Sequence, residues 1–377
     1  MKHSCAVHKH KLTGLLPLPL TIIVIALLIS SCLGADTYNN SGRIIEDSEG
    51  RKVNVPDTIR SVIALRSGAL RLVCYMDMAD RVGYIEGNEK RRNVPYLMAN
   101  PGLKEREIIG AGNNYDTELL AASNAGLIIA TYMNRAEADD LQKAIGKPVF
   151  VLDYGDMKGK LGELFNSIYL LGDLFYRETR ADSLVQYIKK TIDDYKGRSE
   201  GNDSVSAYTG GVAYRGAHGI SSTEPGYPPY RFLSVHNVAG SLGEVVSSPL
   251  SNQENAFIDM EQLLIWDPDF IFLDAAGESI WQVEIDKPVL RETLTSFSSK
   301  DVYSVLPYNW YTTNYENILC NTWFIGKTVY PANFSDIEVE DKCREIYTFF
   351  LGKDVYDEMN ELYRPFRRVL RKDGGTG

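Results

Sequence analysis

The sequence contains few cysteines and histidines, and this scarcity excludes several kinds of chemistry. Five cysteines are spread over 377 residues with no C-x-x-C pair, which excludes a zinc ribbon, a thioredoxin-type redox site and a disulfide-dense scaffold. Only His218 and His236 lie beyond residue 31, too few for a histidine-rich zinc or manganese site. There is no G-x-S-x-G motif, and Gly326-Lys327-Thr328 lacks the earlier glycine of a phosphate-binding loop. The sequence therefore predicts no metal centre and no catalytic residues.

Positive charge is also scarce. The chain has 40 basic and 50 acidic residues, and its first 31 residues carry three lysines and no acid. The remainder thus has 37 bases against 50 acids. A net-negative body is a poor partner for nucleic acid or for an anionic bilayer surface, so nucleic-acid binding is excluded.

The first 31 residues have the three parts of a secretory signal peptide. A basic start is followed by the apolar stretch Leu12–Ile29 and by two serines before Cys32. The Ile-Ser-Ser-Cys sequence resembles a bacterial lipobox, whose cysteine is acylated and becomes the new N-terminus. The alternative is a transmembrane anchor, but two prolines in the apolar stretch favour a cleaved signal. We expect a lipoprotein of the cell envelope, anchored at Cys32 in the periplasm or on the outer face of the cytoplasmic membrane, with residues 32–42 as its tether.

Short apolar runs alternate with helical patterns after the tether. Arg43–Asp47 and Lys52–Val55 flank a Ser-Glu-Gly turn and predict a β-hairpin. Further strands and the helices between them are predicted at Ser61–Leu65, Gly68–Met78, Val82–Glu86, Asp116–Asn124, 127–131, Arg135–Ile145 and 149–152. This alternation predicts an α/β fold with a mainly parallel sheet.

The middle of the chain predicts a long helix. No proline occurs between Pro148 and Pro225, and apolar residues recur at three- and four-residue steps from Leu161 to Ile192. One helix over residues 160–197 would be roughly 50 Å long. We expect it to connect an N-terminal lobe, residues 43–159, to a C-terminal lobe, residues 203–377.

Two segments 143 residues apart share one pattern. The sequence Asp116-Thr-Glu-Leu-Leu precedes the apolar run 127–130, and Asp259-Met-Glu-Gln-Leu precedes the apolar run 270–273. In both, the aspartate is placed to cap a helix and the glutamate lies in its first turn. Two unrelated helix–strand units are the alternative, but the constant spacing favours an internal duplication.

Four features occur in order: the hairpin with Gly50 and Val53-x-Val55-Pro56, the two Asp-x-Glu-x-Leu helix starts, the segment 266–273 and the long middle helix. This order, over residues 42–370, resembles the class III substrate-binding proteins of ABC importers, the receptors for ferric siderophores, haem and cobalamin. The resemblance implies two α/β lobes with central, mainly parallel sheets, joined by a single long helix, with the ligand between them and no catalysis. It implies an importer permease and ATPase complex as partner, met by Glu118 and Glu261, one per lobe. No cofactor or protein-bound metal is implied beyond the carried ligand.

Ligands of open α/β sheets bind outside the carboxyl ends of the strands. Aromatic rings there provide contact area and guanidinium groups pair with anionic oxygens, which suits a large anionic chelate. We expect Arg215 to pair with ligand oxygens, whereas His218, in a glycine-containing loop, has a functional and a structural interpretation that both stay open. The candidate ligand-binding residues are Arg66, Tyr132, Tyr154, Tyr214, Arg215, His218, Trp281 and Trp310.

The sequence thus predicts a lipid-anchored receptor that captures an iron chelate, a ferric siderophore or haem, and delivers it to an importer. A corrinoid such as cobalamin is the alternative ligand. Two other functional classes remain: a lipoprotein hydrolase or metal enzyme built on His218 and His236, and a passive scaffold lipoprotein without a ligand-sized cleft. Whether Cys320 and Cys343 form a disulfide is left open by their spacing.

Overall fold

Two five-stranded sheets organise the computed structural model, which describes residues 42–111, 114–201, 205–243 and 256–370. The predicted signal peptide 1–31, Cys32 and the tether up to residue 41 lie outside these described residues. Within them, no helix combines the length and the apolar character needed to cross a membrane.

The first sheet is built from five of the nine strands that the structure describes in the first half, and its central strands are apolar and buried. The nine strands are β1 (Gly42–Glu46), β2 (Lys52–Pro56), β3 (Val62–Leu65), β4 (Val82–Ile85), β5 (Glu107–Ile108), β6 (Gly110–Ala111), β7 (Asn114–Tyr115), β8 (Leu127–Thr131) and β9 (Val149–Leu152). Strands β1 and β2 pair as the predicted hairpin, and the sheet has the parallel order β5-β4-β3-β8-β9. Every residue of β3, β8 and β9 is buried, as expected for parallel strands covered on both faces.

The second sheet has nearly the same construction. Its half contains β10 (Ser206–Gly210), β11 (Ser222–Thr223), β12 (His236–Asn237), β13 (Ala256–Phe257), β14 (Phe270–Asp274), β15 (Val302–Val305) and β16 (Arg367–Arg368). The sheet order is β12-β10-β14-β15-β16, parallel except for the edge strand β16. The predicted α/β fold with mainly parallel sheets is therefore confirmed.

Helices cover the sheets and fill the space between them. In the first half they are α1 (Ala69–Tyr75), α2 (Gly87–Lys90), α3 (Pro95–Ala99), α4 (Thr117–Ala122), α5 (Arg135–Ile145), α6 (Leu161–Phe175) and α7 (Glu178–Ser199). In the second half they are α8 (Pro228–Phe232), α9 (Met260–Trp266), α10 (Glu278–Glu284), α11 (Pro288–Thr293), α12 (Thr295–Ser298), α13 (Tyr315–Val329), α14 (Val339–Leu351) and α15 (Tyr356–Tyr363). Helix α5 matches its predicted limits because Asn134 and Glu137 form a capping box and Gly146 ends the helix in the left-handed conformation.

The repeated sequence pattern is one helix–strand unit used twice. Helices α4 and α9 begin 143 residues apart, and strands β8 and β14 have the same offset at both ends. In the sheets, β8 lies between β3 and β9, and β14 lies between β10 and β15. The side chain of Asp116 caps α4 by accepting from the Leu119 amide at 2.9 Å, whereas the Asp259 side chain makes no such bond to α9. The two copies thus hold equivalent places in their sheets.

The prediction of a single connecting helix over 160–197 is wrong. Helix α6 ends at Phe175, Tyr176 has a φ of 54°, and α7 begins two residues later. The amide of Arg177 donates to the Gly172 carbonyl at 2.7 Å, which closes the end of α6 as in a Schellman motif. A Cβ on Gly172 would lie 2.7 Å from the Cβ of Ala181, so the glycine lets α7 pack against α6. The apolar spacing continues across this break and therefore concealed it.

A hydrophobic core common to both halves lies between the sheets. The largest cluster of buried residues runs from Ile45 to Met359 and includes Phe150 of the first sheet and Phe272 of the second. It also takes in the inner faces of α6, α7, α13 and α14. Because this core is continuous, separating the halves would expose apolar surface, which favours little relative motion. The lobe limits 43–159 and 203–377 stay predictions.

Candidate functional site

The carboxyl ends of the first sheet's strands place four polar or aromatic residues along one edge. Arg66 follows β3, Glu86 follows β4, Tyr132 follows β8, and Tyr154 comes two residues after β9. Arg66 donates to the backbone carbonyl of Tyr132 and, at 3.2 Å, to the carboxylate of Glu137. Three of the predicted ligand-binding residues, Arg66, Tyr132 and Tyr154, are thus brought together.

A loop from the second sheet reaches this edge. Residues 308–314, which we call the strap, follow β15 and form a tight hairpin, with a β-bridge between Asn309 and Thr313. The base of the strap is fixed because the Tyr308 amide donates to the buried carboxylate of Asp274 at 2.8 Å and the Asn314 amide donates to the Tyr308 carbonyl at 2.9 Å. Burial raises the pKa of Asp274 to about 7, although hydrogen bonds from the Tyr308 and Ala276 amides lower it.

The strap contacts three strand ends of the first sheet in succession. The Tyr311 hydroxyl donates to Oε2 of Glu86 at 2.7 Å, and Thr312 Oγ1 lies 2.8 Å from the Tyr132 hydroxyl. The Tyr154 hydroxyl donates to the Thr313 carbonyl at 2.7 Å. Burial raises the pKa of Tyr311, so its hydroxyl stays protonated and can donate. These bonds show that the carboxyl edge of the first sheet meets the loop after the second sheet's β15.

A fully buried arginine holds the base of the strap. Arg71 lies on α1 and donates to the Tyr154 hydroxyl, to the Thr313 carbonyl and, at 2.5 Å, to Oδ1 of Asn314. Its guanidinium also lies 5.0 Å from the centre of the Tyr96 ring. No carboxylate among the described residues forms a direct ion pair with it. Neutral oxygens accept its hydrogen bonds, and the carboxylates of Glu316 and Glu89 interact with its charge from a greater distance.

Two buried glutamates complete the wall of the site. Glu86 and Glu89 are 1% and 2% exposed, and the Oε1 atom of each has no hydrogen-bond partner among the described residues. Burial raises the pKa of Glu86 and raises that of Glu89 to about 7, although Tyr311 and Tyr96 donate hydrogen bonds that oppose the shifts. Glu89 is thus about half protonated near neutral pH, which reduces negative charge at this edge.

Unpaired guanidinium donors lie on the same edge. Arg92 covers the ring of Tyr311 at 4.0 Å. The buried Nε atoms of Arg66, Arg71 and Arg92 have no hydrogen-bond partner among the described residues. Arginine binds carboxylate and other anionic oxygens through such donors, so this edge is chemically suited to an anion.

The predicted residues of the second lobe behave differently from one another. Arg215 is exposed, has a φ of 54° and lies 5.3 Å from the ring of Tyr214. His218 is partly buried, with Nε2 2.6 Å from the Tyr214 carbonyl oxygen and its ring 5.0 Å from that of Phe257. This internal hydrogen bond favours the structural interpretation of His218. The loop follows β10, at the carboxyl edge of the second sheet.

The two predicted tryptophans occupy unlike positions. Trp281 is 1% exposed and its indole donates to the Asp274 carbonyl at 2.8 Å. Its side chain belongs to the core cluster on one face of the second sheet and offers no surface to a ligand; its assignment to the site is wrong because the apolar ring fills the space beside Gly211. Trp310 lies partly buried in the strap.

Sequence reasoning missed Arg71 and did not choose Glu86, Arg92 or Tyr311. Arg71 sits in the run Ala-Leu-Arg-Leu-Val-Cys-Tyr, every residue of which is buried. A lone charge within a fully apolar helix was the available signal, since buried charges require partners. Arg92 stands in the basic run Lys90-Arg91-Arg92, which is typical of a solvated surface, but it is partly buried against Tyr311.

Glu118 and Glu261 occupy equivalent exposed positions. Each lies in the first turn of its helix, α4 or α9, and neither makes a side-chain hydrogen bond within those helix starts. Exposure leaves both carboxylates available to a partner. Among the described residues there is no cluster of three or more histidine, cysteine or acidic side chains that could hold a metal ion.

The chain was compared with known proteins. No protein-family model matches it. The molybdate-binding protein MolA of Haemophilus influenzae is 22% identical over 349 residues, which are 86% of this chain and 95% of MolA. The structure of MolA bound to molybdate has a TM-score of 0.63 at 19% identity and covers 83% of this chain and 98% of MolA.

Two further solved structures come from Veillonella parvula. A periplasmic solute binding protein has a TM-score of 0.66 at 17% identity, covering 85% of this chain and 96% of the other. A TroA-like periplasmic binding protein, FepB, has a TM-score of 0.59 at 16% identity, covering 83% and 97%. The chain therefore has the fold of the class III, TroA-like periplasmic binding proteins of ABC transporters, and the proteins it resembles are transport-associated binding proteins and not enzymes.

Proposed function

We propose that this protein is the solute-binding receptor of an ABC importer and that it binds an anionic, metal-containing solute at the carboxyl edges of its two sheets. The observation that carries the proposal is that the Nε donors of Arg66 and Arg92, at the carboxyl edge of the first sheet, have no acceptor among the described residues. Buried donors without acceptors are unfavourable unless a bound group satisfies them. A ligand with several anionic oxygens would do so.

An acidic iron chelate is the ligand class that the surroundings favour. The exposed ring of Tyr132 and the buried ring of Tyr154 lie beside the arginines, with their centres 6.0 Å apart. Such rings provide contact area for a large chelate, while the guanidinium groups donate hydrogen bonds to its oxygens. Proteins of the same fold bind haem or belong to an Fe³⁺-hydroxamate transport system.

Molybdate is a second candidate, favoured by a separate observation. MolA, which aligns with 86% of this chain, is a molybdate-binding protein. A small oxyanion would need only the guanidinium donors and not the aromatic surface. A corrinoid, the third option, would depend mainly on the aromatic surface.

The delivery step is part of the same proposal. Acylation at Cys32 would hold the receptor on a membrane of the cell envelope. Glu118 and Glu261 would meet basic residues of the permease, and such charge pairs orient partners and weaken as salt rises.

The test begins with protein purified from its own host. Native mass spectrometry with elemental analysis should reveal a bound species containing iron or molybdenum. Calorimetric titration of ligand-free protein with ferric tris-catecholate, haemin, cobalamin and sodium molybdate then ranks the classes, with cobalamin expected to bind most weakly. A parent protein that carries no ligand and binds none of the four would overturn the assigned ligand class.

A further inference from the structure

The tip of the strap holds an unfavourable backbone conformation. Tyr311 and Thr312 have φ values of 58° and 66°, two consecutive non-glycine residues in the left-handed region. Side chains with a Cβ adopt this region rarely, and each instance needs support from its surroundings. The contacts that hold the tip must therefore supply that support.

Much of that support comes from the first sheet. Tyr311 binds Glu86, Thr312 contacts Tyr132, and Thr313 accepts from Tyr154. Arg92 adds a cation–π contact with the Tyr311 ring at 4.0 Å. Several of these partners also belong to the edge assigned above to the ligand, so the strap and a ligand compete for the same groups.

We infer that the strap is a displaceable plug, with Tyr311 in the place that the ligand takes on Arg92. This inference rests on the proposed function, because it assumes that this edge is the ligand site. On binding, oxygens of the solute replace the Tyr311 ring beneath Arg92, and Glu86 loses the hydrogen bond that the Tyr311 hydroxyl donates to it. Tyr311 is then a specificity-determining residue. A solute binds only if its interaction with Arg92 is stronger than the interaction of Arg92 with the phenol ring.

A displaceable plug has a quantitative consequence. The apparent dissociation constant equals the intrinsic one divided by the fraction of molecules with an open strap. Removing the bond between Tyr311 and Glu86 raises that fraction by about tenfold, the typical effect of one hydrogen bond to a charged group. Affinity should therefore rise, whereas loss of a ligand-contacting residue lowers it.

The experiment compares Tyr311→Phe with Tyr187→Phe in the whole mature protein. Tyr187 is a matched control because its hydroxyl also donates to a carboxylate, Oε1 of Glu345 at 3.0 Å, on helices α7 and α14. Hydrogen exchange is followed in peptides that cover residues 307–315, without ligand. Affinities for ferric tris-catecholate and sodium molybdate are measured by calorimetry.

We expect exchange of the strap amides to be about tenfold faster in Tyr311→Phe and unchanged in Tyr187→Phe, with tighter binding of whichever probe the parent binds. Equal strap exchange in the two variants, or weaker probe binding by Tyr311→Phe, would overturn the inference. If the parent binds neither probe, the ligand classes tested are wrong, and the exchange measurement alone decides whether Tyr311 holds the strap closed.

Discussion

Tyr311 donates a hydrogen bond of 2.7 Å to Glu86, and this bond ties the loop after β15 of the second sheet to the end of β4 in the first. Arg92 lies over the same ring, so a cation, an aromatic ring and a buried carboxylate follow one another across the boundary. The halves are joined at this edge by polar and aromatic contacts, whereas the core behind it is apolar. Changes at the edge should therefore alter ligand binding more than folding.

Arg215 provides the first prediction. Arg215→Ala should weaken ligand binding ten- to a hundred-fold, about 1.5–3 kcal/mol, because a charge-assisted contact is lost. Its side chain is exposed, so the melting temperature should barely change. Arg60→Ala is the control, an exposed arginine at the amino end of β3. Calorimetry measures the ligand affinity of each variant. If Arg215→Ala binds the ligand as tightly as the parent does, Arg215 is not part of the site.

Arg71 should matter for stability. Arg71→Met keeps the approximate volume but leaves Asn314 Oδ1 without its buried donor and leaves the Thr313 carbonyl with the Tyr154 hydroxyl alone. The free energy of unfolding should fall by about 2–4 kcal/mol. Urea unfolding followed by tryptophan fluorescence measures the change, with the exposed Arg81→Met as control. A midpoint equal to that of the control would show that neighbouring groups satisfy these oxygens.

The buried carboxyl of Glu89 should make stability depend on pH. Burial raises its pKa from 4.5 to about 7, so between these values the folded protein holds a proton that the unfolded chain has lost. The free energy of unfolding therefore falls as pH rises through this window, by about 3 kcal/mol in total from this group. Glu89→Gln should be more stable than the parent at pH 8 and similar to it at pH 4.5.

Urea unfolding at pH 4.5, 6 and 8 tests this dependence. Burial also raises the pKa of Asp274 to about 7, and this residue titrates in the parent and in Glu89→Gln alike. The difference between the unfolding free energies of the two proteins therefore reports Glu89 alone. A stability difference that stays constant from pH 4.5 to 8 would contradict the raised pKa.

Glu118 and Glu261 should affect transport alone. Glu118→Ala combined with Glu261→Ala should leave ligand affinity unchanged. It should lower the free energy of unfolding by at most about 1 kcal/mol per helix, the usual contribution of an acidic residue in the first turn. Uptake in cells or reconstituted vesicles should fall. Glu105→Ala with Glu361→Ala is the control pair, since both are exposed acids outside α4 and α9. Normal uptake by the first double variant would leave its two glutamates with a helix-stabilising role.

Gly172 tests the packing of α6 on α7. Gly172→Val places a side chain where a Cβ already lies 2.7 Å from that of Ala181, and should lower the free energy of unfolding by about 1–3 kcal/mol. Gly162→Ala, in the same helix with open space around it, should be neutral or stabilising by up to about 1 kcal/mol. Equal midpoints for both variants in urea would show that the two helices separate readily.

Local sequence patterns identified the sheets and their repeat. The runs 127–131 and 270–274 are fully or almost fully buried strands in equivalent positions, because a parallel strand covered on both faces must be apolar throughout. The rule that ligands bind beyond the carboxyl ends of the strands also placed Arg66, Tyr132 and Tyr154 correctly on one edge, since parallel strands all end on the same side. It assigned Trp281 wrongly, because that rule cannot tell a ring that faces a ligand from one that turns into the core.

By itself the sequence determined the α/β class, the positions of the hairpin and of strands β3, β4, β8, β9 and β14, and the duplicated helix–strand unit, because these depend on apolar spacing within short segments. Only the tertiary structure decided the break at Tyr176, the burial of Arg71 and the meeting of Tyr311 with Glu86. The last two depend on contacts between residues more than 200 positions apart, and the break depends on how closely α7 packs on Gly172. Such contacts form only after the sheets have assembled, and no local pattern specifies which distant side chains will then be neighbours.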